Sequence, residues 1–163
     1  YDISQLSIPF DRMDEEYLRK PRKWDASDIG RFMAWIGPVS SIFDITTFAL
    51  LWHVFGANSV QHQALFQSGW FVESLLTQTL IVHMIRTRRI PFLQSIASAP
   101  VLALTSAIIL VGLLLPFTRL GAKLGMVALP AAFFGWVALT VLTYGVLTQL
   151  MKLVYIRRYG RWL

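Results

Sequence analysis

The sequence of 163 residues contains no cysteine, which excludes disulfide bonds and thiolate metal sites. It also lacks the spacing of common catalytic and metal-binding motifs. His53, His62 and His83 have no partner four residues away, so they form no zinc-binding pattern, and we expect them to cap helices or pack at interfaces. Neither a Gly-rich phosphate loop nor a Ser/His/Asp arrangement occurs. The sequence therefore predicts no catalytic residue and no cofactor-binding residue in this chain.

Acidic residues are scarce, with nine Asp and Glu against fifteen Lys and Arg and a formal charge of +6. In a soluble protein this excess would suggest nucleic acid or an acidic partner. However, 55% of the residues are hydrophobic, and six Trp and eleven Phe make the chain too apolar for a soluble domain of this size. The basic residues lie beside apolar segments, where anionic lipid headgroups attract them. We therefore predict an integral membrane protein that contacts anionic lipids and has no nucleic-acid partner.

Residues 65–89, LFQSGWFVESLLTQTLIVHMIRTRR, determine how the other segments must be arranged. About twenty of these residues suffice to cross a hydrocarbon core of about 30 Å as an α-helix. A carboxylate in lipid costs at least about 2.5 kcal/mol, so Glu73 should face protein or water. At about 100° per residue, the polar positions share one face of this helix: Gln67, Trp70, Glu73, Ser74, Thr77 and Gln78. The segment predicts a membrane-spanning helix with one polar side.

Three further apolar segments are long enough to span a membrane: residues 29–55, 96–117 and 126–151. Ser27 is a suitable N-cap for the first of them, and Asp28 suits its first turn. The sequence thus predicts an all-α membrane protein, a polytopic bundle of four transmembrane helices with a partial preceding helix.

This pattern divides the chain into two regions. Residues 1–28 are predicted to form the end of the earlier helix and a charged loop, with a short helix around residues 14–19. Residues 29–163 form the four-helix domain.

The Lys and Arg residues are unevenly distributed among the predicted loops. Six precede or enter the first span, three follow the second and four follow the fourth, whereas the two remaining loops hold none and two. Basic residues are retained on the cytoplasmic side of membranes. We therefore predict a multi-pass protein of the bacterial inner membrane, with both ends of this segment and the middle loop in the cytoplasm.

Four stretches of the chain carry a further signal: YDISQLSIPFD, RFMAWIGPVSSIFDITTF, LFQSGWFVESLLTQTLIVHMIRTRRIPF and YIRRYG. Together they resemble the C-terminal membrane region of bacterial magnesium-transporting P-type ATPases, and the similarity extends over essentially the whole chain. The resemblance implies that residues 1–10 end the sixth transmembrane helix and that the four spans are helices seven to ten. It also implies a parent protein that imports magnesium into the cytoplasm by ATP hydrolysis through a phosphorylated aspartate.

Several parts of such a pump are not in this sequence. It contains no DKTGT phosphorylation motif and no nucleotide-binding segment, and helices four, five and most of six are absent. Position 1 is not Met, and no signal-peptide pattern follows. We therefore expect a piece of a longer translocase that is not catalytic alone. Its partner is the rest of the pump, Mg²⁺ is the transported ion, and ATP binds domains outside this chain.

The resemblance implies two candidate ligands for the transported ion. Asp2 resembles the sixth-helix aspartate that coordinates the cation across P-type pumps. Gln78 matches, by its distance from the RTRR turn, an eighth-helix position that can supply an oxygen ligand in related pumps. Magnesium prefers hard oxygen ligands and retains several waters. The alternatives are a solvated carboxylate for Asp2 in this segment and an interhelical hydrogen bond for Gln78.

Two further carboxylates lie inside predicted spans, where we expect mainly structural roles. Asp44 is in the middle of the first span, so a partner across the bundle or on the missing helix five is expected. Glu73 should pair with a neighbouring helix or face a polar vestibule, with a role in transport as the alternative. Because Glu73 and Gln78 point in different directions around the helix, they should not serve one compact site directly.

A contrasting hypothesis is a stand-alone four-helix membrane scaffold or channel-like protein without enzymatic activity. The cores of the third and fourth spans contain no charged residue and would line a poor cation pathway. The sequence therefore favours the first hypothesis, in which the domain supports the ion-carrying helices and presents polar groups beside them.

Overall fold

The computed structural model describes residues 2–12, 14, 26–160 and 162. These residues form helices and loops and contain no β-strand. The α-helices are α1 (Asp2–Gln5), α2 (Ala26–His53), α3 (Gln63–Ile85), α4 (Ala99–Leu114), α5 (Arg119–Lys123) and α6 (Ala131–Tyr159). Short 3₁₀ helices occupy Ile8–Phe10, Val60–His62 and Leu115–Phe117. The all-α prediction is confirmed.

Three helices of the described chain are long and apolar enough to cross a membrane: Ser27–His53, Ala99–Phe117 and Ala131–Tyr159. Helix α3, from which the arrangement was predicted, is not among them, because its Gln, Ser, Thr and Glu residues lower its mean hydropathy. It is nevertheless 23 residues long and contacts α2, α4 and α6. A helix surrounded by other helices can carry polar side chains that lipid would exclude. The chain is a multi-pass membrane bundle with its most polar helix at the centre.

Two predicted helix ends differ from the structure. Helix α2 covers Ala26–His53, so Ser27 lies inside the helix and is not its N-cap, whereas Asp28 lies in the first turn. Helix α6 begins after Pro130, five residues later than expected, because proline has a φ suited to a helix start but no N–H to continue one. It extends to Tyr159, where Gly160 ends it at a φ of 71°.

The helices pack around three apolar clusters that follow the length of the bundle. The first joins α2, α3 and α6 at one end and includes Leu51, Val72, Phe133 and Val137. The second lies in the middle and comprises Val39, Phe43 and Tyr144. The third lies at the other end and comprises Phe32, Ile36, Tyr155 and Trp162.

The arginine-rich helix ends lie together at this third cluster, which we call the basic end of the bundle. The indole N–H of Trp35 on α2 donates to the Tyr159 hydroxyl on α6 at 3.3 Å. The indole N–H of Trp162 donates to the carbonyl of Ile85, the last residue of α3, at 2.9 Å. This juxtaposition agrees with the predicted alternation of the spans. The predicted charged loop, with its short helix near residues 14–19, lies outside the described residues except for Asp11, Arg12, Asp14 and residues 26–28.

Candidate functional site

One face of α3 is left uncovered by the other helices of this chain. An open groove of about 440 Å³ follows this face and is lined by Gln67, Trp70, Phe71, Ser74, Leu75 and Gln78. We call it the polar groove. Gln67, Trp70 and Gln78 are exposed in it, and Ser74 is half-buried. The candidate ligand Gln78 therefore presents its amide to whatever lies beside this bundle.

The polar residues of α3 do not share one environment, contrary to the sequence prediction. Glu73 and Thr77 are buried inside the bundle, whereas Gln67 and Gln78 face the polar groove. The division arises because α2 and α6 pack against one side of α3, at the close approach around Gly69. A helical wheel gives the direction of a side chain but not the helix that meets it there.

The interior of the bundle brings two acidic side chains together, and neither makes an ion pair with a described residue. Glu73 is 1% exposed, and neither of its carboxyl oxygens has a hydrogen-bond partner among the described residues. Asp44 of α2 is half-buried and close enough to Glu73 for their charges to interact. The neighbour that α3 supplies to Asp44 is thus a second acid, and a partner for Asp44 on the missing helix five stays a prediction.

The second candidate ligand, Asp2, is exposed in the short helix α1 at the basic end. Helix α1 contacts α4, and Gln5 lines a cavity together with Val82 and Ile85 of α3. Gln78, Val82 and Ile85 recur at helical spacing, so α1 stands at the basic end of the α3 face that carries Gln78. No hydrogen bond joins Asp2 to Gln78 in the structure, and no group of three or more His, Asp or Glu residues in the described chain could hold a metal ion.

Sequence reasoning missed a polar network that joins the start of the chain to the α3–α4 loop. The Arg86 guanidinium pairs with both carboxylate oxygens of Asp11, and the backbone N–H of Ser98 donates to Asp11 at 2.9 Å. The hydroxyls of Thr87 and Ser95 donate to Asp14 at 2.6 and 2.9 Å. We call these five side chains, Asp11, Asp14, Arg86, Thr87 and Ser95, the clasp. The contacts of Asp11 and Asp14 with Arg86, Thr87 and Ser95 join residues more than 70 positions apart, so no local pattern could reveal them.

The clasp keeps both of its aspartates ionised. Burial by itself would raise the pKa of Asp11, but hydrogen bonds from Arg86 and Ser98 and the charge of Arg86 outweigh it and hold the pKa below its usual value. For Asp14, burial is similarly outweighed by hydrogen bonds from Thr87 and Ser95 and by the charges of Arg89 and Arg86. The pKa of Asp14 is lowered as well.

Lys152 of α6 fixes the other side of the same loop. It is fully buried, and its ammonium group donates to the carbonyls of Thr87 at 3.0 Å and Arg89 at 3.2 Å. Its Nζ also lies 5.3 Å from the centre of the Trp162 ring, within reach of a cation–π interaction. The sequence suggested only that Lys152 is one of four basic residues that follow the fourth span. In the structure, its hydrogen bonds connect α6 to the segment that follows α3.

Two of the three histidines make the contacts of capping and packing residues. His62 Nδ1 lies 2.9 Å from the Ser59 hydroxyl at the start of a 3₁₀ helix. His83 Nε2 is 3.1 Å from the Thr105 hydroxyl and joins α3 to α4.

Comparisons with known proteins match nearly the whole chain. Residues 1–154 match the family described as cation transporting ATPase, C-terminus. A Salmonella typhimurium protein named magnesium-transporting ATPase, P-type 1, is 62% identical over 99% of this chain. An Escherichia coli K12 protein of the same name is 55% identical over 98% of it. In both cases the chain spans only 18% of the length of the relative. From its length, its helices and these matches, the chain belongs to the family of C-terminal domains of cation-transporting ATPases.

Proposed function

We propose that this chain is the C-terminal membrane domain of a P-type ATPase that imports Mg²⁺ into the bacterial cytoplasm. The observation that carries the proposal is the 62% identity over 99% of the chain to a protein named for magnesium transport. Because the chain spans 18% of that relative, ATP binding and phosphorylation are assigned to the remainder of the parent protein. The chain itself carries out no chemistry on ATP.

The domain supports the remaining helices of the pump through the polar groove. The amides of Gln67 and Gln78 and the hydroxyl of Ser74 lie on this face of α3 at the depth of a membrane. An amide left without a partner in hydrocarbon costs several kcal/mol, so this face requires polar groups from another part of the parent. We assign that partner to the preceding transmembrane helices, because the other faces of α3 are covered by α2, α4 and α6.

Asp2 and Gln78 are the candidate ligands that this chain contributes to the transported ion. Both offer oxygen atoms to a hard cation, and both are exposed. In this assignment Mg²⁺ keeps several of its waters, and the chain supplies only part of the coordination. Glu73 and Asp44 are left out of the set because they lie inside the bundle, away from the polar groove.

Replacing Gln78 in the complete pump tests this assignment. In a strain that lacks its own magnesium transporters, we expect Gln78→Ala to raise the Mg²⁺ concentration needed for half-maximal growth by about tenfold, the equivalent of one lost ligand worth about 1.4 kcal/mol. Gln61→Ala is the matched control, because Gln61 is an exposed glutamine in the 3₁₀ helix before α3. Equal growth of the two variants at equal expression would remove Gln78 from the ligand set.

Asp2 is tested by two substitutions. Asp2→Ala removes the carboxylate. Asp2→Asn replaces it with an uncharged amide, whose one carbonyl oxygen occupies a similar position. Because a carboxylate is the stronger ligand for Mg²⁺, we expect growth to be lost with Ala and partly retained with Asn. Wild-type growth of Asp2→Ala, with normal amounts of protein in the membrane, would show that Asp2 is a solvated carboxylate.

The basic end is proposed to lie at the cytoplasmic leaflet of the inner membrane. Arg88, Arg157 and Arg158 are exposed there, and basic side chains near anionic headgroups contribute about 1 kcal/mol each. In this orientation both ends of the segment are cytoplasmic, and the loop between α2 and α3, which contains no Lys or Arg, faces the periplasm.

A further inference from the structure

The carboxyl group of Glu73 lies at the centre of the bundle, and neither of its oxygens has a hydrogen-bond partner among the residues that the structure describes. Glu73 is one residue from the midpoint of α3, so in a membrane it lies near the middle of the hydrocarbon core. Its side chain is 1% exposed, and both carboxyl oxygens lack a hydrogen-bond partner among the described residues. Buried polar groups are almost always bonded, so this exception requires an explanation.

Residues of this chain enclose the Glu73 side chain. Glu73 is already enclosed by residues of this chain, whereas Gln78, five positions later, is exposed in the polar groove. A basic side chain from another helix could reach Gln78 directly but could reach Glu73 only by separating α3 from α2 and α6. We therefore expect the groups that neutralise Glu73 to lie inside the bundle.

The helices packed against α3 offer no cation near Glu73. Helix α2 supplies Asp44, which is half-buried and interacts with Glu73 through its charge. Helix α6 supplies Tyr144, whose hydroxyl lies 3.0 Å from that of Ser40. Tyr144 is close enough to Asp44 and Glu73 to interact with both electrostatically. Helix α4 contains no titratable residue. The nearest buried cation on α6, Lys152, binds the carbonyl of Thr87, about 21 Å along α3 from Glu73 at 1.5 Å per residue.

The energies favour a neutral carboxyl group over an ionised one. An ion buried in the protein interior costs several kcal/mol without a partner, and a second negative charge on Asp44 adds repulsion. A neutral group that lacks a hydrogen bond costs about 1–3 kcal/mol. Glu73 is more deeply buried than Asp44, so of the two acids it gains more from being neutral.

We propose that Glu73 is a proton-binding site, occupied at neutral pH. Glu73 takes one proton from water to form a neutral carboxylic acid, which removes its charge from the neighbourhood of Asp44. The proposed occupant is a proton and not a divalent cation, because Mg²⁺ retains several waters when it binds, whereas the Glu73 side chain is only 1% exposed. The proposal holds whether or not magnesium is the ion that the parent transports.

Infrared difference spectroscopy of the complete pump in lipid nanodiscs tests the proposal. The spectrum of wild type minus Glu73→Gln at pH 7 should contain the carbonyl stretching band of one protonated carboxyl group, which shifts on transfer to D₂O. The control is Asp28→Asn, because Asp28 forms an ion pair with Arg31 and, unlike Glu73, is partly exposed. A difference spectrum that shows loss of a carboxylate from Glu73 would overturn the proposal.

A second variant keeps the test decisive if Glu73→Gln does not fold. Asp44→Asn removes the negative neighbour, so Glu73 should release its proton at a lower pH, and the carboxyl band should disappear at a lower pH than in wild type. A band that disappears at the same or a higher pH would contradict the pairing with Asp44.

Magnesium titration separates a proton site from a cation site. Adding Mg²⁺ to the wild-type pump at pH 7 should leave the Glu73 band unchanged, even where it saturates transport. If Mg²⁺ instead converts the carboxyl band into a carboxylate band, Glu73 is a metal ligand and the proposal fails. Because this readout follows one side chain, it can fail while magnesium transport, and hence the proposed function, remains intact.

Discussion

Arg86 connects the start of the chain to the α3–α4 loop, a role that no sequence pattern indicated. Its guanidinium pairs with Asp11 and lies 3.3 Å from the hydroxyl of Ser95 in the α3–α4 loop. The two charged side chains are only 10% and 12% exposed, so their interaction is screened much less than one on the surface. In the sequence, Arg86 is one member of a basic cluster, and only its long-range partners distinguish it from Arg88.

We predict that Arg86→Met lowers the stability of the membrane domain by about 3 kcal/mol, because it leaves the buried charge of Asp11 without its partner. The measurement is the fraction of intact pump recovered by fluorescence-detected size-exclusion chromatography after heating. Arg88→Met is the control, since Arg88 is exposed and surface substitutions usually change stability by about 0.5 kcal/mol or less. Equal losses in both variants would show that the clasp adds nothing beyond general charge.

The clasp should open in acid. The pKa of Asp11 in the folded protein is below its ordinary value of 3.8, so its contribution is complete above that value and is lost as the pH falls through the lowered pKa. The backbone N–H of Ser98 donates to Asp11, and its hydrogen exchange therefore reports the state of the carboxylate.

We expect protection of the Ser98 amide, corrected for intrinsic exchange, to be constant from neutral pH down to about pH 4 and to fall below it. Asp11→Asn should show reduced protection at all pH values, because the charge that Arg86 pairs with is gone. Mass spectrometry of peptides that contain Ser98 measures this. Unchanged protection in Asp11→Asn would mean that the loop is held without the clasp.

At the level of the helices, the close approach of α2, α3 and α6 depends on Gly69. A Cβ atom at this position would lie 2.6 Å from Leu51 Cδ2 and 3.3 Å from Phe133 Cε2. Leu51 and Phe133 are both fully buried, so neither side chain can move aside without disturbing the first apolar cluster. This contact is also what directs the neighbouring face of α3, with Glu73, into the interior.

We predict that Gly69→Ala destabilises the bundle by about 1–3 kcal/mol through overpacking, despite the higher helix propensity of alanine. Gly135→Ala in α6 is the matched control, because nothing lies within 4 Å of the added Cβ there and the substitution should be neutral or stabilising. Both are measured by recovery after heating. Greater stability of Gly69→Ala would show that α3 does not approach α2 and α6 this closely.

For the whole molecule, the absence of cysteine in this chain allows its orientation to be measured directly. Single cysteines at Arg88 and Asn58, both exposed and at opposite ends of α3, can be labelled in the complete pump after any cysteines elsewhere are replaced. A membrane-impermeant maleimide added to intact spheroplasts should modify Asn58→Cys and not Arg88→Cys. The reverse pattern would invert the proposed topology, whereas labelling of both would contradict the membrane bundle.

Hydrophobicity and charge determined the class of this protein, its four long helices and which helix ends lie together, because length, apolar content and the positions of Lys and Arg are properties of each segment alone. The exact ends of α2 and α6 were predicted less accurately. For α2, Ser27 is a residue type that often caps helices, but the structure places it inside the helix.

The environment of each polar residue was decided only by the tertiary structure. Glu73 and Gln78 are five residues apart in one helix, yet one is enclosed by α2 and α6 and the other faces an open groove. Likewise Arg86 and Lys152 have hydrogen-bond partners more than 60 positions away in the sequence. Whether a side chain is buried, and which partner it has, depends on which helix packs against its face of the helix. Helix packing involves several segments at once, so it cannot be predicted from any one of them.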